Sequence, residues 1–190
     1  MLSQMKGFFY KHYLMYRKSN ADKATLFIYP LVSLFSIGML AAYLRAAGGA
    51  VDTVSFVIVG VIVWTFYELC QRIPVFGLVL DIWDHCLKHS LISPVTLFEY
   101  ILGNSLFGLV VGLFSIALLT VLSWIFFSFN IFSAGLVLVP SLAIIFIFAV
   151  SVGLGINSMI VGYNKEYLTM VWAMPGVVMM FSGVYYPINM

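Results

Sequence analysis

The sequence predicts an all-α fold: a polytopic bundle of membrane-spanning helices, about five in number, behind an N-terminal amphipathic helix. Three observations carry this. Between Tyr100 and Asn164 no Asp, Glu, Lys, Arg or His occurs. As one helix at 1.5 Å per residue, about 65 residues would run to roughly 100 Å, over three times a bilayer's hydrocarbon core, so the stretch must cross, turn and cross again. The chain is 63% hydrophobic and only 8% charged, against about 25% charged residues in a soluble domain. Its Lys and Arg residues, Arg72 aside, stand outside the apolar runs.

In chain order, residues 1–23 read as a cytoplasmic interfacial segment and 24–190 as the transmembrane domain. At 100° per residue, Leu2, Met5, Phe8, Phe9, Tyr13 and Tyr16 fall on one side of a helix over Met1–Asn20. Lys6, Lys11, Arg17 and Lys18 fall on the other, a pattern suited to the membrane interface. Ala24–Leu44 is the first span, with Pro30 inside it, tolerable in a membrane helix. Thr53–Leu80 is the second. It holds Glu68 and Arg72, four apart on one face with Glu first, a spacing that can pair them and lower the cost of both charges. Asp81–Ser93 is the most polar internal segment, and Ser93-Pro94 reads as a helix start, Ser capping and Pro at the first position. Glu99 follows in the first turns, where the helix macrodipole favours an anion.

Leu97–Phe127 and Ala134–Val161 are the third and fourth spans, separated by the polar break around Ser128-Phe129-Asn130. Gly108/Gly112, Ser151/Gly155 and Ser158/Gly162 are small residues four apart, read as close helix packing. Tyr167–Val184, broken by Pro175-Gly176, is the fifth span, and Tyr185-Tyr186-Pro187 suits an aromatic belt at its end. Seven Lys and Arg (Lys6, Lys11, Arg17, Lys18, Lys23, Lys88, Lys165) fall on one side of this topology and Arg45 on the other. The positive-inside rule then places the N-terminus in the cytoplasm and, after five spans, the C-terminus outside.

Several functions are excluded or left without support. A net charge of +2 without a basic stripe does not suit nucleic acid. Cys70 and Cys86 make no disulfide framework. Lysines spread through the first twenty residues do not make a cleavable signal peptide. No G-x-x-x-x-G-K-[ST], H-E-x-x-H or G-x-S-x-G occurs, so neither a P-loop nor these hydrolytic sites is present. His85 and His89 have a metal-ligand spacing beside Asp81, Asp84 and Cys86, but nothing completes the site, and no metal or cofactor is expected. His12 reads as an interfacial side chain. What remains is a translocation pathway driven from elsewhere. The energy would arrive through Asp81–Ser93, with Trp83, Leu87 and Leu91 as an anchoring face.

The order of features resembles a known family. An interfacial basic helix and a span are followed by Gly60-Val61-Ile62-Val63-Trp64, then Asp81…Leu91-Ile92-Ser93-Pro94…Glu99…Gly103, and finally Ser182-Gly183-Val184-Tyr185-Tyr186-Pro187. This is similar to the membrane subunit of ABC-2 type transporters, the permeases of polysaccharide, O-antigen, teichoic acid and drug exporters. The resemblance implies a pair of permease chains, a homodimer or heterodimer, working in the membrane lipid with separate ATP-binding subunits. It also implies a coupling helix at Asp81–Ser93, with Trp83, Asp84, Leu87, Lys88, Leu91, Ser93 and Pro94 as contacts to the ATPase. Export of a glycan, lipid-linked or drug-like substrate across the plasma membrane would follow. The family has a sixth span after the Tyr-Pro segment; this sequence stops at Met190, so a fragment or a chain without that helix is expected. An ion-gradient-driven transporter or channel is the alternative, and would draw on Glu68, Arg72 and Glu99. A scaffold is a third reading.

Overall fold

The computed structural model describes residues 2–18, 20–46, 51–83, 96–127, 137–163 and 165–182. They form six α-helices and one 3₁₀ turn, with no strand among the described residues. The helices are α1 (Leu2–Lys18), α2 (Asn20–Ala46), α3 (Val51–Trp83), α4 (Leu97–Phe127), α5 (Leu138–Gly162) and α6 (Met170–Phe181), the turn Lys165–Thr169 lying before α6. The chain is an all-α integral membrane protein. Ser55–Trp83, Phe98–Phe127 and Leu138–Gly162 are each long and apolar enough to cross a bilayer.

The expected first span lies within the single helix α2, although its described apolar stretch, Leu26–Leu40, is shorter than the three long spans. The expected fifth span divides. Lys165–Thr169 winds as a 3₁₀ turn, and the α-helix proper covers only Met170–Phe181, with Pro175 inside it. The fourth is described as α-helix over Leu138–Gly162, and its expected start at Ala134 lies outside the described residues.

The centre of the bundle is α3, which packs against α2, α4, α5 and α6. Two thirds of its apolar window is buried inside the protein, against 39% for α4 and 17% for α5. Its sequence explains the position. Every residue from Leu69 to Val75 is buried, about two turns of helix, so burial runs around the whole cylinder rather than along one stripe. α5 is the opposite case, with Val139, Ile144, Ile147 and Val161 all turned outward onto what is the lipid side of a membrane helix.

Close approach of α4 to α3 depends on glycine. A Cβ at Gly112 would lie 2.8 Å from the Phe66 ring and 2.9 Å from Cys70 Sγ, and one at Gly108 would lie 3.5 Å from Pro74 Cδ. The α4 pair is therefore packing, as its spacing predicts. On α5 the reading moves by two residues. Gly155 and Gly162 have nothing within 4 Å of an added Cβ and Ser151 and Ser158 are exposed, while Gly153 meets the Gln71 carbonyl at 3.1 Å.

Candidate functional site

Residues 84–95 stand in sequence between the end of α3 and the start of α4. Asp84, Leu87, Lys88, Leu91, Ser93 and Pro94, together with His85, Cys86 and His89, lie outside the described residues. Trp83 is described: it closes α3 and is 48% exposed. The return is set by a capping box. Thr96 Oγ1 accepts from the Glu99 amide (3.3 Å), while Glu99 Oε2 accepts from the Thr96 amide (2.9 Å) and hydroxyl (3.0 Å). This reciprocal pair satisfies two helix-end donors and fixes where α4 starts. Glu99, expected from the macrodipole or as a pathway charge, is thus a capping residue. The T-x-x-E spacing was legible in the sequence.

Near the end of α3 and the start of α4 the three helices α1, α3 and α4 are tied together. Asp81, 3% exposed, is two residues before the end of α3. Its Oδ1 is ion-paired with Lys11 Nζ of α1, and its Oδ2 accepts from the Tyr100 hydroxyl of α4 at 3.0 Å. One carboxylate therefore joins both ends of the 84–95 segment to the amphipathic helix. Buried at 3% exposure, it has a partner on each carboxylate oxygen, as a buried polar group requires.

One turn deeper the same helices meet again around His12. Its Nε2 donates to Asn104 Oδ1 at 2.8 Å, and its ring stacks on Phe107 with centroids 5.5 Å apart and planes 19° off parallel. Phe9 and Tyr16 close on the same ring, each at 5.3 Å. Gly77 of α3 makes the slot, since a Cβ there would lie 2.7 Å from His12 Cε1. Burial holds the imidazole below its ordinary value of 6.5, with Lys11 adding to the effect and Asn104 and Asp81 opposing it.

This corrects the helical-wheel reading of α1. The face toward the bundle is Phe9, His12 and Tyr16, with Lys11 at its edge. Tyr13 is 48% exposed and stacks on Tyr10 on the outer side. Pattern analysis placed Lys11 outward because it could not see Asp81 waiting in α3.

Glu68 and Arg72 share a face of α3 and meet through α2. The Tyr29 hydroxyl lies 3.5 Å from Glu68 Oε1, and the Arg72 guanidinium lies over the Tyr29 ring at 5.3 Å. The same guanidinium lies over the Trp172 ring of α6 at 5.0 Å. Arg72 and Trp172 line a cavity of about 300 Å³ that runs along α3 past Gly77 to Trp83, with His12 and Tyr16 on its α1 side.

The sequence profile of the ABC-2 type transporter family matches residues 4–190. The chain belongs to the ABC-2 type transporter family. It is therefore the membrane permease component of an ABC-type transporter, a family whose energy comes from an ABC ATPase. Comparison with curated proteins and with solved structures gave no match.

Proposed function

We propose that this ABC-2 permease exports a glycan, lipid-linked or drug-like substrate from the cytoplasm, driven by a separate ATP-hydrolysing subunit that docks on residues 84–94. The permease works as a pair of chains in the plasma membrane, with α1 on the cytoplasmic face. The observation that carries this reading is the Lys11–Asp81–Tyr100 node. A segment that relays force needs both of its ends fixed to the bundle; otherwise its motion is dissipated in loop fluctuation. Asp81 and Tyr100 fasten the two ends to each other, and Lys11 fastens them to the interfacial helix. Movement of the 84–94 segment then displaces α1, α3 and α4 together.

The test is reconstitution with a co-expressed ATPase subunit. Leu87→Glu with Leu91→Glu should abolish ATP-driven transport without changing membrane insertion. Normal transport by that variant would sink the docking assignment. Transport that persists after ATP depletion and follows an ion gradient would move the chain to the secondary-transporter class.

A further inference from the structure

α3 carries one cation deep within its span, Arg72; Glu68, one turn earlier, is near enough to feel its charge but makes no ion pair with it. Arg72 is 9% exposed. Its guanidinium carbon lies over the rings of both Tyr29 and Trp172. Ring faces satisfy a guanidinium's charge in part, but its five N–H donors lie in the plane, at the edge. Among the described residues no acceptor stands within hydrogen-bonding distance of them. Glu68, one turn earlier, receives the Tyr29 hydroxyl and does not line the cavity. The cavity does receive Arg72, and its other walls are mainly apolar: Leu69, Ile73, Phe76 and Leu80.

A guanidinium that faces a mainly apolar cavity without a protein acceptor is open to one from a ligand, and the planar fork is the side chain best shaped for a two-oxygen acceptor. About 300 Å³ is the lower end of the range for small-molecule sites, enough for an oxyanion and several carbons. We propose that this cavity binds the phosphate group of an amphipathic molecule. The phosphate sits on the edge of Arg72 between the two rings, and the apolar part runs along Ile73 and Leu80 toward Trp83. As a substrate assignment this rests on the permease reading above; as a binding site it does not.

The experiment uses the full chain in neutral maltoside micelles, with radiolabelled decyl phosphate as probe in a scintillation proximity assay. Saturable binding is expected, displaced by unlabelled decyl phosphate and by dihexanoyl phosphatidic acid. Arg72→Gln should weaken it at least tenfold, and Arg72→Lys by less. Leu80→Trp narrows the cavity without touching Arg72 and should also weaken binding, which keeps the test informative if Arg72→Gln elutes as aggregate. Affinity within twofold of wild type in monodisperse Arg72→Gln, or in Leu80→Trp, overturns the proposal. Equal displacement by decyltrimethylammonium overturns it as well. Displacement by inorganic phosphate at the same concentration as decyl phosphate would assign the site to the free ion and overturn the amphiphile. Binding is read without ATP or partner. Absence of ATP-driven transport by the wild-type chain therefore counts against the permease reading alone, and wild-type binding by Arg72→Gln against this site alone.

Discussion

Gly77 is where a single methyl group reads out the docking of α1. A Cβ at this position would lie 2.7 Å from His12 Cε1, 2.8 Å from Nε2 and 3.2 Å from Asn104 Nδ2. The first two separations are shorter than real Cβ contacts, so Gly77→Ala must push the imidazole out of its slot. Displacement loses the hydrogen bond to Asn104, about 0.5–1.5 kcal/mol. It also loses the stacked contact with Phe107, about 0.5–1.5 kcal/mol. Helix propensity works the other way, since alanine is about 1 kcal/mol better than glycine inside a helix. The net change in stability is therefore about 0–2 kcal/mol, too broad a range for a sharp readout. The coupling to His12 is a good one. In a double-mutant cycle with His12→Ala, the clash term vanishes and only the propensity gain is left, so Gly77→Ala should become neutral or stabilising. The expected coupling is about 1–3 kcal/mol, read from unfolding of the purified chain in micelles. A coupling below about 0.5 kcal/mol would mean that the methyl does not act through His12, and would refute the packing of α1 against Gly77.

Three further outcomes are expected. Asp81→Asn and Tyr100→Phe should each cost about 1 kcal/mol, the ion pair being discounted because Lys11 is 35% exposed; the double variant should cost less than their sum, and strict additivity would separate the two contacts. The folded chain holds His12 below 6.5, so it selects the neutral ring; that stabilisation is complete above about pH 6.5 and is lost as pH falls through the lower folded value. Melting temperature should fall more steeply on acidification for wild type than for His12→Gln, and parallel curves would contradict the burial of the ring. Gly112→Val, forced against Phe66 and Cys70, should destabilise by about 1–3 kcal/mol. Gly155→Val, with open space around it, should change the isolated chain by under about 0.5 kcal/mol; equal effects would misplace one of the two helix faces.

The helices were legible because membrane length and apolarity act on long windows. Leu97–Phe127 has the same bounds in the sequence reading and in the structure, since Phe127 precedes a polar break and Glu99 marks the first turn. The fifth span was not legible in the same way. Tyr167 and Leu168 are apolar enough to belong to it, yet the backbone there is 3₁₀, a choice that turns on hydrogen bonding rather than hydropathy. The site was legible only where its residues were close in sequence. Glu68 and Arg72 announce each other at one helical turn; Lys11, Asp81 and Tyr100 are brought together across gaps of 70 and 19 residues by tertiary packing alone. His12 was misjudged for the same reason. A histidine on an amphipathic helix belongs to the interface unless something receives it, and Gly77 and Asn104 receive it.

Pro74 decides whether the cavity and the node can communicate. Arg72 and Asp81 are nine residues apart on α3, about 13 Å along the axis. A straight helix would move both as one body. Pro74 has no N–H, so the Cys70 carbonyl loses its helical donor, and the turn from 70 to 74 is where α3 bends at least cost. Arg72 lies in the middle of that turn. Gly108 of α4 faces this turn, an added Cβ there lying 3.5 Å from Pro74 Cδ and 3.6 Å from the Cys70 oxygen, so at Gly108 α4 puts no side chain in the way of a bend. Force arriving at Asp81 would then open or close the helix around Arg72 rather than translate the whole span. Pro74→Ala restores the missing hydrogen bond and should raise thermal stability by up to about 3 kcal/mol, less where neighbouring groups already satisfy the carbonyl. With a co-expressed ATPase, the stiffened helix should leave ATP hydrolysis intact and lower transport several-fold. A Pro74→Ala chain that is more stable and still transports at the wild-type rate would show that α3 moves as a rigid rod and that the node acts on the pathway by another route.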